Sequence, residues 1–468
     1  MKKNIYFLFI TGLLFIGIRE MPAQTPSALK SFIRKGSLRH AVVSFKAVEL
    51  TSGTTVADYN SQLSLTPASN MKIVTTATAL DVLGKDFNFE TLLFYDGFID
   101  ASTLEGNLYI QGNGDPTLGS EHFEGDREAF LNEWLIGIQK VGIQKVSGDI
   151  IVLDQLFGYE GVSFKWLWED LGNYYAPGIY GISVFDNMYR LYLQSYSIGT
   201  QAVILSMKPA IEEIIFTNDI ITGDTNNEPA ISGVPFSYER RLYGTVPPNK
   251  TSFVIKGDIP DPGLFLAKYL KTHLQKNGIV IKGEANTFRL NPQFPEIQNI
   301  LATVRSPSLA SIVRVVNVKS NNHFAEHLFQ TLKIVKGLDI PTYWFEKGLD
   351  SSALFMYDGS GIAPANAVSA GFLTDLLVYM DKKEEQTGAF FRSLPVAGKE
   401  GTVASFLKNT PLEGKSHIKS GSITDVQSYS GYIEKGDKRY AFALIINRFT
   451  GKRADLRKDI EQLLVDLF

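Results

Sequence analysis

The pattern of apolar and polar positions predicts a two-stranded hairpin early in the chain and a helix directly after it. Residues 41–50 are rich in valine, phenylalanine and alanine, and residues 55–59 follow across a Thr-Ser-Gly-Thr turn, as expected of two strands joined by a tight connection. An apolar-patterned segment opens at Ser69 and should run to Leu83 and end at Gly84, because glycine is common just after a helix.

The middle of the chain is patterned as short strands, glycine-rich turns and two similar helical units. Residues 130–140 and residues 264–276 are both amphipathic, and each is followed by a Gly-Ile pair and then by a glycine beside an acidic residue. This pattern predicts a helix, a glycine stop and a strand in both places. Residues 194–259, which lie between them, are strand-like and rich in turns, so we expect a small β-module there.

Helical patterning returns at residues 308–335, and three candidate strands follow at residues 416–422, 428–434 and 440–447. The last helix carries apolar residues at i, i+4, i+7, i+8 and i+11, which places them on one face. These residues are Leu456, Ile460, Leu463, Leu464 and Leu467. We expect this face to cover the terminal sheet.

The order of these patterns predicts a split catalytic domain with a long insertion. We expect residues 24–85 and 296–468 to form the catalytic domain. Residues 86–193 and 260–295 would form the inserted domain, with residues 194–259 as a β-rich module nested within it. The chain has 468 residues, of which 44% are hydrophobic and 20% charged, so it can form several well-packed domains.

Composition and the N-terminal residues narrow the class of protein. The formal net charge is −3, so nucleic acid is not an expected partner. The absence of cysteine excludes disulfides, thiolate metal sites and a cysteine nucleophile. Residues 1–23 combine two lysines, a short apolar run and small residues, which is typical of a secretion signal, with an uncleaved anchor as the alternative. We expect an exported protein in the periplasm, with an extracellular or loosely membrane-associated protein as the alternatives, and without a membrane span after signal cleavage.

Ser69 and Lys72 are the first candidates for catalysis. Their spacing places both side chains on one helical face, so a hydroxyl and an amine share one site. A desolvated lysine that is neutral part of the time can take the proton as the serine oxygen attacks. The same S-x-x-K spacing begins at Ser27, Ser405 and Ser416 as well, so the pattern alone is weak evidence.

Two downstream clusters complete a recognisable set. Ser320-Asn321-Asn322 begins a helical stretch, and Lys419-Ser420-Gly421-Ser422 lies in a strand pattern. The three elements match S-x-x-K, S-x-N and K-[ST]-G in order. The chain resembles the class C penicillin-binding proteins of low molecular mass, which are serine D-alanyl-D-alanine carboxypeptidases and endopeptidases. The resemblance covers residues 67–79, 112–118, 320–328, 358–361, 393–398 and 419–431, and it includes the long insertion between the first two motifs, which β-lactamases lack.

The resemblance implies both a fold and a reaction. The expected fold is α/β (α+β), with a β-lactamase/transpeptidase-like domain whose antiparallel sheet is flanked by helices and which carries smaller inserted α/β and β domains. The expected reaction is hydrolysis of peptidoglycan peptides ending in D-Ala-D-Ala, through an acyl-enzyme on Ser69 and without a metal or organic cofactor. β-Lactam antibiotics should acylate the same serine.

Residue chemistry and the resemblance together give each motif residue a role. Ser69 would be the nucleophile and Lys72 its general base, with Lys419 as a second cation that favours the neutral form of Lys72. Ser320 would pass a proton to the leaving amine, and Asn322 would hold a substrate amide.

The strand motif would bind the substrate. Lys419 and Ser420 suit the terminal carboxylate of a D-alanine, because a cation and a hydroxyl together satisfy an anion. Gly421 and Ser422 complete the binding strand, and the backbone N–H groups of Ser69 and Ser422 would form the oxyanion hole. Ser420 replaces the commoner threonine; it keeps the hydroxyl and loses a methyl group, which should affect substrate fit.

Three alternatives stay open at this point. Ser69 and Asn322 could be helix caps, with Lys72 and Lys419 as ordinary surface charges. The segment from His323 to His327 fits H-x-x-E-H, a pattern of zinc peptidases. The chain could also be a penicillin-binding receptor or sensor that has lost turnover. The ordered set of three motifs favours the serine peptidase.

Overall fold

The structure is a computed structural model that describes residues 25–224, 228–383 and 388–468. The predicted secretion signal lies outside the described residues. Within them, the α-helices are α1 (Ser27–Ile33), α2 (Met71–Leu83), α3 (Ala129–Lys140), α4 (Pro262–Lys276), α5 (Leu309–Lys319), α6 (Asn322–Gln330), α7 (Ile340–Glu346), α8 (Ala370–Lys383), α9 (Ala389–Ser393) and α10 (Arg453–Leu467). Short 3-10 turns lie at Gly36–Leu38, Ala68–Asn70, Gln155–Phe157, Trp168–Asp170, Phe185–Asn187 and Gly401–Val403, and a π-helical turn lies at Thr331–Val335.

The strands of the described residues are mostly short. The first twelve are β1 (Val42–Glu49), β2 (Thr55–Tyr59), β3 (Ser64–Leu65), β4 (Glu90–Tyr95), β5 (Phe98–Asp100), β6 (Thr103–Glu105), β7 (Leu108–Gln111), β8 (Lys145–Val146), β9 (Ile150–Leu153), β10 (Met188–Gln194), β11 (Val203–Lys208) and β12 (Ile215–Asn218). The others are β13 (Ile221–Thr222), β14 (Ala230–Ser232), β15 (Glu239–Tyr243), β16 (Thr245–Val246), β17 (Phe253–Asp258), β18 (Val280–Ile281), β19 (Ala285–Thr287), β20 (Ile300–Arg305), β21 (Val368–Ser369), β22 (Ser416–Ile423), β23 (Val426–Lys435) and β24 (Lys438–Asn447).

The N-terminal hairpin and the three C-terminal strands form one sheet, of order β2-β1-β24-β23-β22. Every neighbouring pair in it is antiparallel. The register of β1 on β24 runs from Val42 opposite Asn447 to Glu49 opposite Tyr440. The two ends of the chain therefore build the sheet together, which brings α2 next to the C-terminal strands.

Alternation along β24 divides the core between two helical layers, because successive side chains of a strand point to opposite faces. Ala441, Ala443 and Ile445 pack with residues of α2, α5, α6 and α8. The intervening residues of β24 pack with α1 and with the apolar face of α10. These intervening residues are Phe442, Leu444 and Ile446. The prediction that the last helix covers the terminal sheet is therefore confirmed.

The segment between α2 and α5 forms its own sheets and core. Two of these sheets have the orders β19-β9-β7-β4-β20 and β18-β8-β6-β5. The two similar helix-strand units, built on α3 and α4, add their strands to the same sheets in parallel, β18 beside β8 and β19 beside β9. Strands β10 to β17 form three smaller sheets, of orders β11-β10-β17, β12-β15-β14 and β13-β16.

One strand pairing bears on where the insertion ends. β20 pairs antiparallel with β4, from Ile300 opposite Phe94 to Arg305 opposite Glu90, so it belongs to a sheet of the inserted segment. We propose that the chain returns to the catalytic domain near Ser306 rather than at residue 296. The other domain boundaries stay a prediction.

Candidate active site

Ser69 lies in the 3-10 turn that leads into α2. Its neighbour Ala68 has a φ of +49°, a left-handed conformation that residues other than glycine rarely adopt. The Ala68 carbonyl oxygen packs against Gly361, where a Cβ atom would lie 1.9 Å from that oxygen. The turn is therefore held in a strained conformation by tight packing, and such strain is common beside reactive side chains.

Lys72 is fully buried, and its ammonium nitrogen contacts three oxygen atoms. Nζ lies 3.0 Å from Ser69 Oγ and 2.6 Å from Asn322 Oδ1. It also donates to the Ser360 carbonyl oxygen at 2.6 Å. These contacts place the amine within hydrogen-bonding distance of the serine hydroxyl, as the sequence spacing predicts.

Burial governs the protonation of both lysines of the site. It lowers the pKa of Lys72 to about 7, against the opposing effect of the Glu326 and Asp358 carboxylates. Burial also lowers the pKa of Lys419 well below its usual value, and the positive charge of Lys72 lowers it further. Desolvation is therefore the reason why Lys72 can be neutral.

Ser320 and Asn322 lie at the corner between α5 and α6. Ser320 ends α5 in the left-handed conformation, with φ 53° and ψ 39°. Asn321 caps α6, because its side chain accepts a hydrogen bond from the Phe324 N–H at 2.8 Å. The side chain of Asn322 faces the buried lysine instead, and its Nδ2 donates to the Tyr175 carbonyl oxygen at 2.8 Å. The alternative in which Asn322 caps the helix is therefore wrong.

Lys419 is fully buried on β22 and joins two of the motifs. Its Nζ donates to Ser320 Oγ at 2.9 Å and to the Ser420 carbonyl oxygen at 2.7 Å. Ser420 in turn has its Oγ 2.8 Å from Thr402 Oγ1. The two lysines thus contact one serine hydroxyl each, Lys72 that of Ser69 and Lys419 that of Ser320.

Gly421 allows β22 to lie directly against the 3-10 turn that carries Ser69, here called the nucleophile turn after the role that the sequence predicts for Ser69. A Cβ atom on Gly421 would lie 2.5 Å from the Pro67 carbonyl oxygen and 2.9 Å from the Asn70 nitrogen. Ser428 on β23 donates from Oγ to the same Pro67 oxygen at 2.6 Å. The close approach gives Gly421 a packing role in holding the turn against the sheet.

The eight predicted site residues meet in one cleft. Two cavities, of about 720 Å³ and about 600 Å³, share Ser69 and Ser422 as lining residues. The first cavity extends past Ser320 and Ser420, and the second extends past Asn322. The remaining residues of the set, Lys72, Lys419 and Gly421, are buried behind these walls.

The loop behind Lys72 was not assigned from the sequence. The N–H groups of Gly359 and Ser360 donate to the Glu326 carboxylate at 3.1 Å and 2.7 Å. Burial and the nearby Asp358 raise the pKa of Glu326 above its usual value. The Asp-Gly-Ser-Gly pattern at residues 358–361 was the available signal, since paired glycines allow this close backbone packing.

The H-x-x-E-H pattern is explained by packing between α6 and the inserted segment. His323 Nε2 lies 2.7 Å from Ser183 Oγ, and His327 Nδ1 lies 2.9 Å from the Gly114 carbonyl oxygen. Among the described residues, the grouping of three potential metal ligands lies elsewhere, at Glu121, His122 and Asp186. The histidines of α6 therefore do not assemble a third ligand around themselves in the described part of the chain.

The sequence matches the model of the D-Ala-D-Ala carboxypeptidase 3 (S13) family over residues 26–467. The chain belongs to this family. Two curated relatives of this S13 peptidase are D-alanyl-D-alanine carboxypeptidases. DacB of Haemophilus influenzae is 24% identical over 425 residues, which cover 87% of this chain and 86% of the relative. The enzyme of an Actinomadura species is 26% identical over 453 residues, which cover 90% of this chain and 81% of the relative.

Solved structures share the fold of the S13 peptidase. Penicillin binding protein 4 (dacB) from Haemophilus influenzae has a TM-score of 0.80 at 22% identity and covers 95% of this chain and 98% of its own. It has also been solved with a β-lactam. A predatory peptidoglycan endopeptidase from Bdellovibrio bacteriovorus has a TM-score of 0.53 at 17% identity, covering 91% of this chain and 92% of its own.

The family match, the relatives and the solved structures establish the family, the fold class and the class of enzyme. The resemblance to class C penicillin-binding proteins of low molecular mass is confirmed, and so is the predicted fold class. The S13 peptidase is a serine DD-peptidase, a hydrolase of the D-Ala-D-Ala carboxypeptidase class.

Proposed function

We propose that this S13 peptidase hydrolyses peptidoglycan peptides that end in D-Ala-D-Ala, through an acyl-enzyme on Ser69. The observation that carries the proposal is the position of Lys72, whose Nζ lies 3.0 Å from Ser69 Oγ. Burial lowers the pKa of this amine to about 7, so a large fraction is neutral at neutral pH. A neutral amine at this distance can take the hydroxyl proton as Oγ attacks the carbonyl carbon.

Acylation then proceeds through a tetrahedral intermediate. The bond from Ser69 Oγ to the carbonyl carbon forms, and the carbonyl electron pair moves to oxygen, where the N–H groups of Ser69 and Ser422 stabilise it. When this electron pair re-forms the carbonyl double bond, the C–N bond breaks and the leaving amine takes a proton. Ser320 supplies this proton, because its hydroxyl is bonded to Lys419 and can be reprotonated through that contact. Water afterwards hydrolyses the ester.

The same residues orient the peptide before the reaction. The terminal carboxylate binds at Lys419 and Ser420, and this anion raises the pKa of Lys419 toward its charged form. Asn322 holds an amide of the acyl part, on the opposite side of Ser69. A β-lactam places its strained amide at the same carbonyl position and acylates Ser69.

The proposed place of action is outside the cytoplasm, in the periplasm or beyond it. The composition of residues 1–23 supports export, since it combines the charged, apolar and small-residue regions of a secretion signal. Across the described ranges, no helix is both long enough and apolar enough to cross a membrane. The location is tested by expressing the precursor with its signal, following removal of the signal, and fractionating the cells to find the mature protein.

The experiment compares the wild type with Ser69→Ala and with the control Ser27→Ala. Ser27 begins another S-x-x-K spacing, but it lies on α1 and its side chain is exposed. We expect a fluorescent penicillin to label the wild type and the control but not Ser69→Ala, and mass spectrometry to place the adduct on Ser69. Both labelled proteins should release D-alanine from a pentapeptide.

Two results would separate the competing functions. An adduct at another residue, or none, would overturn the mechanism. Labelling without release of D-alanine or cleavage of cross-linked dimers would favour the penicillin-binding receptor. The ratio of D-alanine release to cross-link cleavage, measured on defined muropeptide monomers and dimers, decides between carboxypeptidase and endopeptidase preference.

A further inference from the structure

The larger of the two active-site cavities continues beyond Ser420 to a wall of positive charge. Three cationic side chains line it, Arg453, Arg457 and Lys458, with Glu461 as the carboxylate beside them. We call these three residues of α10 the cationic arm. The formal charge of the whole chain is −3, so this local excess of positive charge runs against the overall balance.

The positive charge of the cationic arm is only partly neutralised. Arg453 donates to three uncharged oxygens, the carbonyls of Ile423 and Val426 and the side-chain oxygen of Gln427. Lys458 is exposed and forms no ion pair with any residue that the structure describes. Uncompensated cations at the wall of a cavity attract an anionic ligand.

Among the residues that the structure describes, Arg457 carries the one ion pair of the arm. Its Nε lies 3.3 Å from Glu461 Oε1, and that same oxygen accepts the Leu407 N–H at 3.1 Å. Its Nη2 donates to Ser405 Oγ at 2.9 Å. The guanidinium is thereby oriented at the cavity wall and keeps further N–H groups.

The arm lies at the end of the helix where cations are least favoured. Arg453, Arg457 and Lys458 fall in the first two turns of α10, and the last turn holds no basic residue. The dipole of a helix favours acidic residues at the start and basic residues at the end. Of the three cations, only Arg453 lies in the first turn, where this effect is largest, and Asp455 shares that turn.

The cationic arm lies on the leaving-group side of Ser69. Ser320 and Ser420 line the same cavity as the arm, whereas Asn322 lines the neighbouring cavity. In the proposed function, the residues of the first cavity receive the terminal carboxylate and protonate the leaving amine, and Asn322 holds the acyl part. The arm would therefore meet groups attached to the leaving D-amino acid.

We propose that the cationic arm binds a second carboxylate carried by the leaving group. The substrate class is a peptide whose leaving D-amino acid extends through its side chain into an anionic chain, as in a peptide cross-link, and this class is preferred over a plain D-alanine leaving group. The inference rests on the proposed function, and it assigns substrate preference to residues outside the three motifs.

The test uses two synthetic substrates with one acyl part that ends in D-alanine. The leaving group is D-lysine, with its Nε either succinylated, which adds a carboxylate, or acetylated, which does not. We expect the wild type to show a kcat/KM about 3- to 10-fold higher for the succinyl substrate. This preference should shrink as the ionic strength rises.

Variants assign the preference to the arm. Arg457→Gln combined with Lys458→Gln should abolish the preference and leave kcat/KM for the acetyl substrate within about twofold. Lys458→Gln alone, at an exposed position, should reduce the preference for the succinyl substrate partly. The control combines Lys435→Gln with Lys438→Gln, two exposed lysines at the far end of the β23–β24 hairpin, and should keep the full preference.

The outcomes separate this inference from the proposed function. Equal rates for the two substrates in an active wild type, or an unchanged preference in the arm variants, would overturn the inference alone. An equal loss of the preference in the control variant would overturn the inference too, because the electrostatic field of the whole protein would then be the cause. If the wild type neither binds fluorescent penicillin nor cleaves either substrate, the proposed function itself fails.

Discussion

Glu326 binds the loop that contacts the Lys72 amine: its Oε1 accepts the Ser360 N–H at 2.7 Å, and the Ser360 carbonyl oxygen accepts from Lys72 Nζ at 2.6 Å. The Glu326 carboxylate and the Lys72 amine are both buried, and no hydrogen bond joins these two side chains. Glu326 is therefore a positioning residue that acts on Lys72 through one peptide unit and through its charge.

Replacing Glu326 should change the pH dependence as well as the rate. In Glu326→Gln one of the two acceptor oxygens becomes an amide nitrogen, so we expect the acylation rate by penicillin to fall by up to about 10²-fold through misplacement of Lys72. The pKa of Lys72 should also drop, because Glu326 raises it, so the midpoint of the rate should move to lower pH.

The control for this variant is Glu346→Gln, at an exposed position on α7. It should leave both the rate and the midpoint unchanged. A slower Glu326→Gln enzyme whose midpoint stays in place would show that Glu326 has a structural role without an electrostatic one.

The pH dependence of acylation in the wild type follows from Lys72. The neutral amine is the reactive form, and its fraction grows as the pH rises through the pKa of about 7. We therefore expect the rate of penicillin labelling to rise with pH across that value, in stopped-flow or quenched measurements. Lys72→Met should lose this limb and slow acylation by roughly 10²- to 10⁴-fold. A wild-type rate that falls as the pH rises through 7 would contradict the assignment.

Adding a side chain at Gly421 should displace the nucleophile turn. The new Cβ of Gly421→Ala would lie 2.5 Å from the Pro67 carbonyl oxygen, which is backbone and has little room to move. We expect a loss of about 1–3 kcal/mol in the free energy of unfolding and severe loss of penicillin labelling. Gly36→Ala is the control, because no atom lies within 4 Å of the Cβ it would add. Full labelling of Gly421→Ala would refute the packing role.

The contact between Trp166 and Asp358 links the inserted segment to the loop behind Lys72. The indole Nε1 donates to Asp358 Oδ2 at 2.9 Å, in a buried position. Trp166→Phe should lower the free energy of unfolding by about 1–3 kcal/mol, because the buried carboxylate loses a donor. Trp168→Phe is the matched control, since that side chain is 71% exposed, and thermal unfolding compares the two. Equal melting temperatures would count against the link.

Chelation should leave the activity intact. The imidazoles of His323 and His327 contact Ser183 and Gly114, so removal of divalent metal is expected to change neither penicillin labelling nor D-alanine release. The measurement is a time course with and without EDTA, alongside a known zinc peptidase that EDTA inactivates. Loss of activity that zinc restores, with Ser69→Ala still active, would reinstate the zinc peptidase.

The local patterns of the sequence were sufficient for many elements of the fold. The end of α2 at Leu83, the hairpin of β1 and β2, and the apolar face of α10 follow from periodicity and from a glycine stop, which depend on neighbouring residues. The pairing of β20 with β4 was missed, because strand partners far apart in sequence leave no local signal.

The sequence by itself determined which chemical groups are available: the serine and lysine one helical turn apart, the S-x-N corner and the lysine of β22. Only the tertiary structure decided how they behave. Burial lowers the pKa of Lys72 to about 7, the left-handed Ser320 turns its hydroxyl to Lys419, and Glu326 accepts the N–H groups of a distant loop. The reason is physical, since desolvation and hydrogen-bond geometry depend on the atoms that surround a group, and distant parts of the chain supply most of them.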